Sequence, residues 1–219
     1  MRCFFLFFCF PLILFSSEVG NFMEPALLGK GFFIKDKSFV NIRSGTLYEQ
    51  LYKKSLKPGN AKIEKRIYAG TFTLNICELL DLYTQLGSMK LESKFNSSHK
   101  KDDSFVATTG AKVILIKVKN TAFGADVKYQ ISHSFCFREW QIAAGLSHKI
   151  YIFVPYAGIT FTGTKVKIKE SDVSKNFENK NRIGITVGAS ITLGPLFYAN
   201  IEGRLVDETA FSTSFETRF

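Results

Sequence analysis

Proline is scarce, five in 219 residues, and the chain has only three histidines and one tryptophan. With so little proline and no repeated or biased block, collagen-like, polyproline and low-complexity architectures are excluded. His99, His133 and His148 are far apart in the chain, and neighbouring Ser147 and His148 would point to opposite faces of a strand, so no nucleophile–base dyad is formed. No glycine-rich phosphate loop and no Cys/His spacing for zinc occurs. No catalytic residue, cofactor or metal ligand is therefore expected, and the chain is read as something other than an enzyme. Asp102-Asp103 and Glu170 with Asp172 read as solvated loop charge. Cysteine is sparse too, at four. Two of these, Cys3 and Cys9, lie in the leading apolar run, which leaves Cys77 and Cys136 and excludes a disulfide-dense scaffold. Beyond Phe15, no apolar run approaches the roughly eighteen residues of a membrane-spanning helix.

The amino-terminal stretch has the order of an export signal. Met1-Arg2 carries one positive charge, an unbroken apolar run follows from Cys3 to Phe15, and Ser16, Ser17 and Glu18 end it. That run is too short to span a membrane as a helix and fits a secretory signal peptide. Residues 1–20 are assigned to it, with cleavage between about Ser17 and Ala26, and residues 21–39 form a periplasmic lead-in. An exported chain without helical spans is periplasmic, secreted or a membrane barrel. The remaining length makes one domain, residues 40–219. The formal net charge is +10, but the cations are scattered, with no basic cluster interleaved with stacking aromatics, so nucleic acid is not expected as a partner. An anionic cell surface is the better match.

Phenylalanine is abundant, at 23, more than a soluble core of this size uses. An apolar belt facing lipid would account for the surplus. The last eleven residues carry the clearest pattern. Phe211, Thr213, Phe215, Thr217 and Phe219 share one strand face, and Ser212, Ser214, Glu216 and Arg218 the other. A strand apolar outside and polar inside, ending the protein on Phe, is the habit of bacterial outer-membrane barrels, whose assembly machinery reads it; Phe215 and Phe219 are the candidate signal. The competing reading is an ordinary edge strand of a soluble sheet.

Ten strand-like segments follow from alternation and turn chemistry: 40–54, 61–75, 80–95, 106–119, 122–132, 138–150, 153–168, 182–193, 196–206 and 209–219. Segment 112–119 is apolar on both faces, and a short helix competes with a strand there. The long polar connections, residues 96–104 and 169–181, fall on one side of an up-and-down arrangement, and the short turns on the other, as outer-membrane barrels require. The fold expected is all-β: a transmembrane antiparallel up-and-down barrel of about ten strands, closed by its C-terminal strand. Glu202, Arg204, Glu216 and Arg218 then face the lumen on neighbouring strands, where they either set a selectivity field or simply fill space with salt bridges. Cys77 and Cys136 fall at opposite ends of a hydrocarbon layer about 30 Å thick, so they are not expected to bond to each other.

Residues 77–94, 138–161 and 182–219 resemble the chlamydial major outer membrane protein family. The most specific matches are Gly184-Ile-Thr-Val-Gly-Ala-Ser, then Ala199-Asn-Ile-Glu-Gly-Arg-Leu-Val-Asp-Glu-Thr-Ala, then the terminal Arg218-Phe219. Residues 41–54 are similar to that family's first strand. The resemblance covers about two-thirds of the chain. It implies an oligomeric general porin in the outer membrane of a Gram-negative bacterium that also strengthens the envelope. Cys77 and Cys136 are each either free or joined to another chain, the latter being the remnant of intermolecular cross-linking that the resemblance implies. Family members are about twice as long, with more strands. A barrel of ten strands is narrow, nearer the side-chain-filled than the channel-forming sizes. The expected function is therefore porin-like passive diffusion of small hydrophilic solutes with an envelope role. The alternative is a non-conducting structural or adhesin-type barrel that presents its loops. The partners expected are outer-membrane lipid, the barrel-assembly machinery and further copies of the chain.

Overall fold

The computed structural model describes residues 40–58, 61–76, 80–95, 98–170, 173–193 and 196–219. The export signal, the lead-in and Cys77 lie outside the described residues.

Eleven strands follow one another: β1 (Val40–Lys57), β2 (Ala61–Ile76), β3 (Leu80–Phe95), β4 (Ser98–Val118), β5 (Thr121–Ser132), β6 (Arg138–His148), β7 (Phe153–Glu170), β8 (Val173–Asn179), β9 (Ile183–Leu193), β10 (Phe197–Leu205) and β11 (Glu208–Arg218). Every pairing is antiparallel, and β11 pairs with β1 from Arg43↔Arg218 to Lys54↔Glu208, which closes a ten-stranded barrel with β8 as an additional strand. The Phe219 N–H donates to the Ile42 carbonyl at 3.1 Å and carries the seam to the last residue.

Alternation decides the two faces, as the sequence predicts. On β11, Ser212, Ser214 and Glu216 are buried while Phe211, Phe215 and Phe219 are exposed. The same parity holds on β6, β9 and β10, whose outward residues include Ile142, Leu146, Ile185, Val187, Ile201 and Leu205. A strand keeps this pattern only when its faces meet different media.

Two sequence expectations change, and one competing reading falls away. Residues 112–118 are strand, as expected, and not the competing short helix. A bulge between Ile114 and Ile116 leaves Leu115 unpaired and turns Leu115 and Ile116 both outward, which breaks the alternation that periodicity relies on. Residues 96–104 are not a long loop, since β4 pairs with β3 from Phe95↔Ser98 onward. Residues 169–181 likewise contain β8, a hairpin partner of the upper end of β7. Both segments extend the sheet beyond the apolar belt; residues 98–104 are polar throughout, and in β8 the inward Phe177 stands between polar Asn176 and Glu178, so neither segment carries a long alternation to read.

The connections at Lys119-Asn120 and residues 149–152 lie at the end where Val40 and Phe219 sit, here the lower end. The upper end is taller. There β8 lies above the short β9–β10–β11 side and reaches β1 through Leu56↔Asn179 and Lys57↔Glu178. Asn179 fixes the crossing: its Nδ2 donates to the Thr162 carbonyl at 2.8 Å and its Oδ1 accepts the Thr164 N–H at 3.1 Å. The Lys180 N–H donates to the Ser55 carbonyl at 2.9 Å.

Candidate functional site

Inward-facing side chains fill the lumen in layers. At the lower end Arg43 is buried against Asp81, with which it forms a short hydrogen-bonded ion pair, and its Nε lies 3.9 Å from Glu216. Asn75 donates to the same Asp81 carboxylate at 2.7 Å, and the Tyr198 ring lies beneath the guanidinium at 5.9 Å. An arginine held by two carboxylates and a ring is a closed arrangement rather than a free charge.

A cavity of about 60 Å³ follows, bounded by Glu49, Tyr83, Lys112, Asp126, Lys128 and Glu202 among others. Its walls are tied together, with Tyr83 donating to Asp126 at 2.9 Å, and the Tyr156 hydroxyl sharing its one proton between Asn200 Oδ1 and Glu202 Oε2, 3.1 Å from each. Both tyrosines lie across glycines of the neighbouring strand. A Cβ on Gly110 would stand 2.3 Å from the Tyr83 ring, and one on Gly188 would stand 2.4 Å from Tyr156. These rings can cross the lumen only because those positions lack a side chain. The cavity has room for a few waters and no more.

Above it lies the largest ionic cluster. Lys65 contacts Glu49 at 2.9 Å and Glu139 at 3.0 Å, and Lys54 contacts Glu139 and Glu208 at 2.8 Å each. Arg204 meets Glu49 and Glu208 at 2.8 Å and Glu202 at 3.7 Å, and Lys128 approaches Glu49 at 3.9 Å. Four cations thus interlock with four carboxylates. Thr164 donates to Glu139 at 2.7 Å and Gln130 accepts from Lys65 at 2.9 Å, which adds neutral hydrogen-bond partners to the ion pairs. Buried charges are tolerated on these terms alone.

An apolar lid completes the fill. Leu51, Leu56, Ile63, Met89, Leu91, Val106, Phe137, Val166 and Phe177 form one buried cluster. Phe137 comes from the β5–β6 connection, which folds inward, and its ring sits 5.1 Å from the Lys65 ammonium, stacking the lid on the ionic layer. Phe135 and Cys136 precede it in left-handed backbone, at φ 46° and 47°, a local cost of roughly 1–2 kcal/mol each that burial of Phe137 offsets.

The four lumen charges read from the sequence do face inward but do not form one constellation. Across the β10–β11 register Glu202 lies opposite Ser212 and Arg204 opposite Ala210, whereas Glu216 lies opposite Tyr198. Glu202 and Arg204 therefore join the upper cluster, Glu216 joins Arg43 in the lower one, and half-buried Arg218 lies lower still, opposite Arg43. The residues missed by sequence reasoning are Arg43, Glu49, Lys54, Lys65, Asp81, Glu139 and Glu208. All but Lys54 sit at the inward parity of their strand, which was the available signal; Lys54 is turned inward by the bulge in β1 after Leu51.

The outer surface carries a band of exposed apolar side chains on every barrel strand. Tyr52, Tyr68, Phe105 and Tyr129 mark its upper rim; Tyr151, Phe153, Phe197 and Phe219 mark its lower rim. Phe215 stacks on Phe197 at 5.7 Å. Above the band the strands are charged: Lys101 contacts Glu92 at 2.9 Å and holds that carboxyl below its usual range by hydrogen bonding. His133 is exposed, and His148 is exposed with Thr121 Oγ1 at 2.9 Å from its Nδ1, while Ser147 is buried on the opposite face. Cys136 is an exposed free thiol at the upper end.

No family model and no curated protein matches the chain. Among solved structures it is similar to the β domain of the Bordetella autotransporter BrkA (TM-score 0.42, 13% identity, covering 83% of this chain and 99% of that one). It is also similar to Ail, the attachment invasion locus protein of Yersinia pestis (0.37, 13%, 82% and 97%). A third is the outer-membrane protease OmpT from Escherichia coli (0.35, 10%, 82% and 93%).

Proposed function

We propose that the protein is an outer-membrane barrel closed to solutes, with a structural and surface-presenting role carried by its upper end. Membrane residence is argued from the outer face. Ten strands expose apolar side chains outward in a closed ring without a free edge, and aromatic residues rim that band above and below. Exposed Ile, Leu, Val and Phe on this scale would be an aggregation surface in water and are the required surface in lipid. The resemblance of residues 138–161 and 182–219 to a bacterial outer-membrane family supports the same location.

One observation carries the closed state: the lumen is filled from Arg43–Asp81 through the four-by-four ionic cluster to the apolar lid. Passive diffusion through a porin needs a continuous water column, and here the cavity of about 60 Å³ lies between the buried Arg43–Asp81 pair below and the ionic cluster and apolar lid above. The filled lumen favours the non-conducting alternative over the porin. No chemistry is assigned to any residue; rigidity is what the interior supplies. Liposome swelling tests the proposal: vesicles carrying the protein should take up a small sugar no faster than protein-free vesicles. Swelling that scales with protein content would overturn it.

A further inference from the structure

Above the aromatic rim, the outward face of β1–β3 carries six cations against two carboxylates: Lys53, Lys57, Lys62, Arg66, Lys90 and Lys94 with Glu64 and Glu92. We propose that Lys53, Arg66 and Lys90 form a binding site for the phosphate groups of a lipid headgroup in the leaflet around the barrel. The inference rests on the membrane reading above and adds a ligand to it.

The arrangement of charges is unusual for a sheet. Arg66 lies directly opposite Lys90, and Lys62 directly opposite Lys94. Like charges at such positions, with Cβ atoms about 4.5–5.5 Å apart, repel and destabilise the pair. Both carboxylates are already engaged, Glu64 by Lys94 and Glu92 by Lys101. Lys90 contacts Asp103 at 3.2 Å in an exposed pair, and among the described residues Arg66, Lys53 and Lys62 form no ion pair. An anion lying between β1, β2 and β3 would convert this repulsion into attraction, and a guanidinium matches phosphate oxygens through two parallel hydrogen bonds.

A bulge brings the third cation into place. The β1 register shifts between Leu51 and Lys53, so that Leu51 and Lys54 are both buried while Tyr52 and Lys53 both face outward. Without the shift, Lys53 would follow Leu51 into the lumen. Directly beneath the cations lie Tyr48, Tyr52 and Tyr68, with the Tyr48 and Tyr68 rings 4.9 Å apart. Below these, Phe72, Leu82 and Leu86 are exposed. Cations, then tyrosine, then apolar side chains is the order in which a lipid presents phosphate, glycerol or sugar, and acyl chain.

The test uses the full chain in phosphatidylcholine vesicles containing either lipid A or dephosphorylated lipid A, with retained lipid measured by mass spectrometry after detergent extraction. Folding of each sample is read from gel migration without heating. Wild-type protein should retain lipid A and not its dephosphorylated form. The variant Lys53→Gln/Arg66→Gln/Lys90→Gln should retain roughly tenfold less. The equally altered Lys165→Gln/Lys167→Gln/Lys180→Gln variant, changed at the upper ends of β7 and β8, should retain as much as wild type. Equal retention of both lipid forms, no loss in the first variant, or equal loss in both variants would each overturn the site while leaving membrane residence standing. Failure of the wild-type protein to enter vesicles would instead bring down the membrane reading and the site with it.

Discussion

At the scale of single residues, the interior is held by charges whose partners come from distant parts of the chain. Glu139 accepts from Lys54 and Thr164 and meets Lys65, all of them buried. Glu139→Gln would leave two buried ammonium groups short of a partner, and should cost about 3–5 kcal/mol. Urea unfolding in lipid vesicles measures this. Lys54→Met combined with Glu139→Gln should cost less than the two single changes added together, because the charge stranded by one is removed by the other. The inward parity of Glu139 and Lys65 was legible in the sequence, but the inward turn of Lys54, set by the β1 bulge, and the partnership of all three were not. Lys54 and Glu139 are 85 positions apart, and they meet because the barrel curves β1 and β6 towards a common axis. For the same reason the Glu202, Arg204, Glu216 and Arg218 group was correctly turned inward and wrongly gathered into one cluster, since the height of a residue on its strand depends on register.

At the scale of elements, two media explain the pattern of every strand. On β10, Ile201 faces outward within the apolar band and Ile201→Arg should cost about 2–4 kcal/mol. On β3, Gln85 borders the cavity, and Gln85→Arg should cost clearly less, because the guanidinium can reach water and the carboxylates around it. Equal losses in urea midpoint would mean that the faces are assigned the wrong way round. The closing strand invites another variant. Removing Phe219 deletes the hydrogen bond to Ile42 and the exposed aromatic end of β11, and should leave exported protein unassembled; fractionation of the cell envelope reads the outcome. The sequence exposed these strands wherever one face met lipid and the other the lumen. It concealed β8, a short and largely polar strand with Phe177 as its inward anchor, the polar residues 98–104 of β4, and the bulge at Leu115, where one extra residue reverses parity.

At the scale of the whole molecule, the upper end is a second body built on the first. There β8 extends the wall of β7 to β1, the β5–β6 connection folds Phe137 inward, and an apolar core forms above the ionic layer. Replacing residues 171–181 by a short turn should remove Phe177 from that core and make the upper hairpins sensitive to protease, while the band within the membrane stays protected; limited proteolysis of vesicles distinguishes the two regions. The fold was legible because lipid imposes a two-residue period over long stretches. Closure of the lumen was not, because it depends on how many inward side chains reach the axis at each height. The central claim is that no water column crosses this barrel, and single-channel recording in planar bilayers tests it most directly. Purified full-length protein, inserted as verified by its folded gel migration, should give no conductance steps above the bare membrane. Reproducible steps of a size expected for an open aqueous pore would contradict the account.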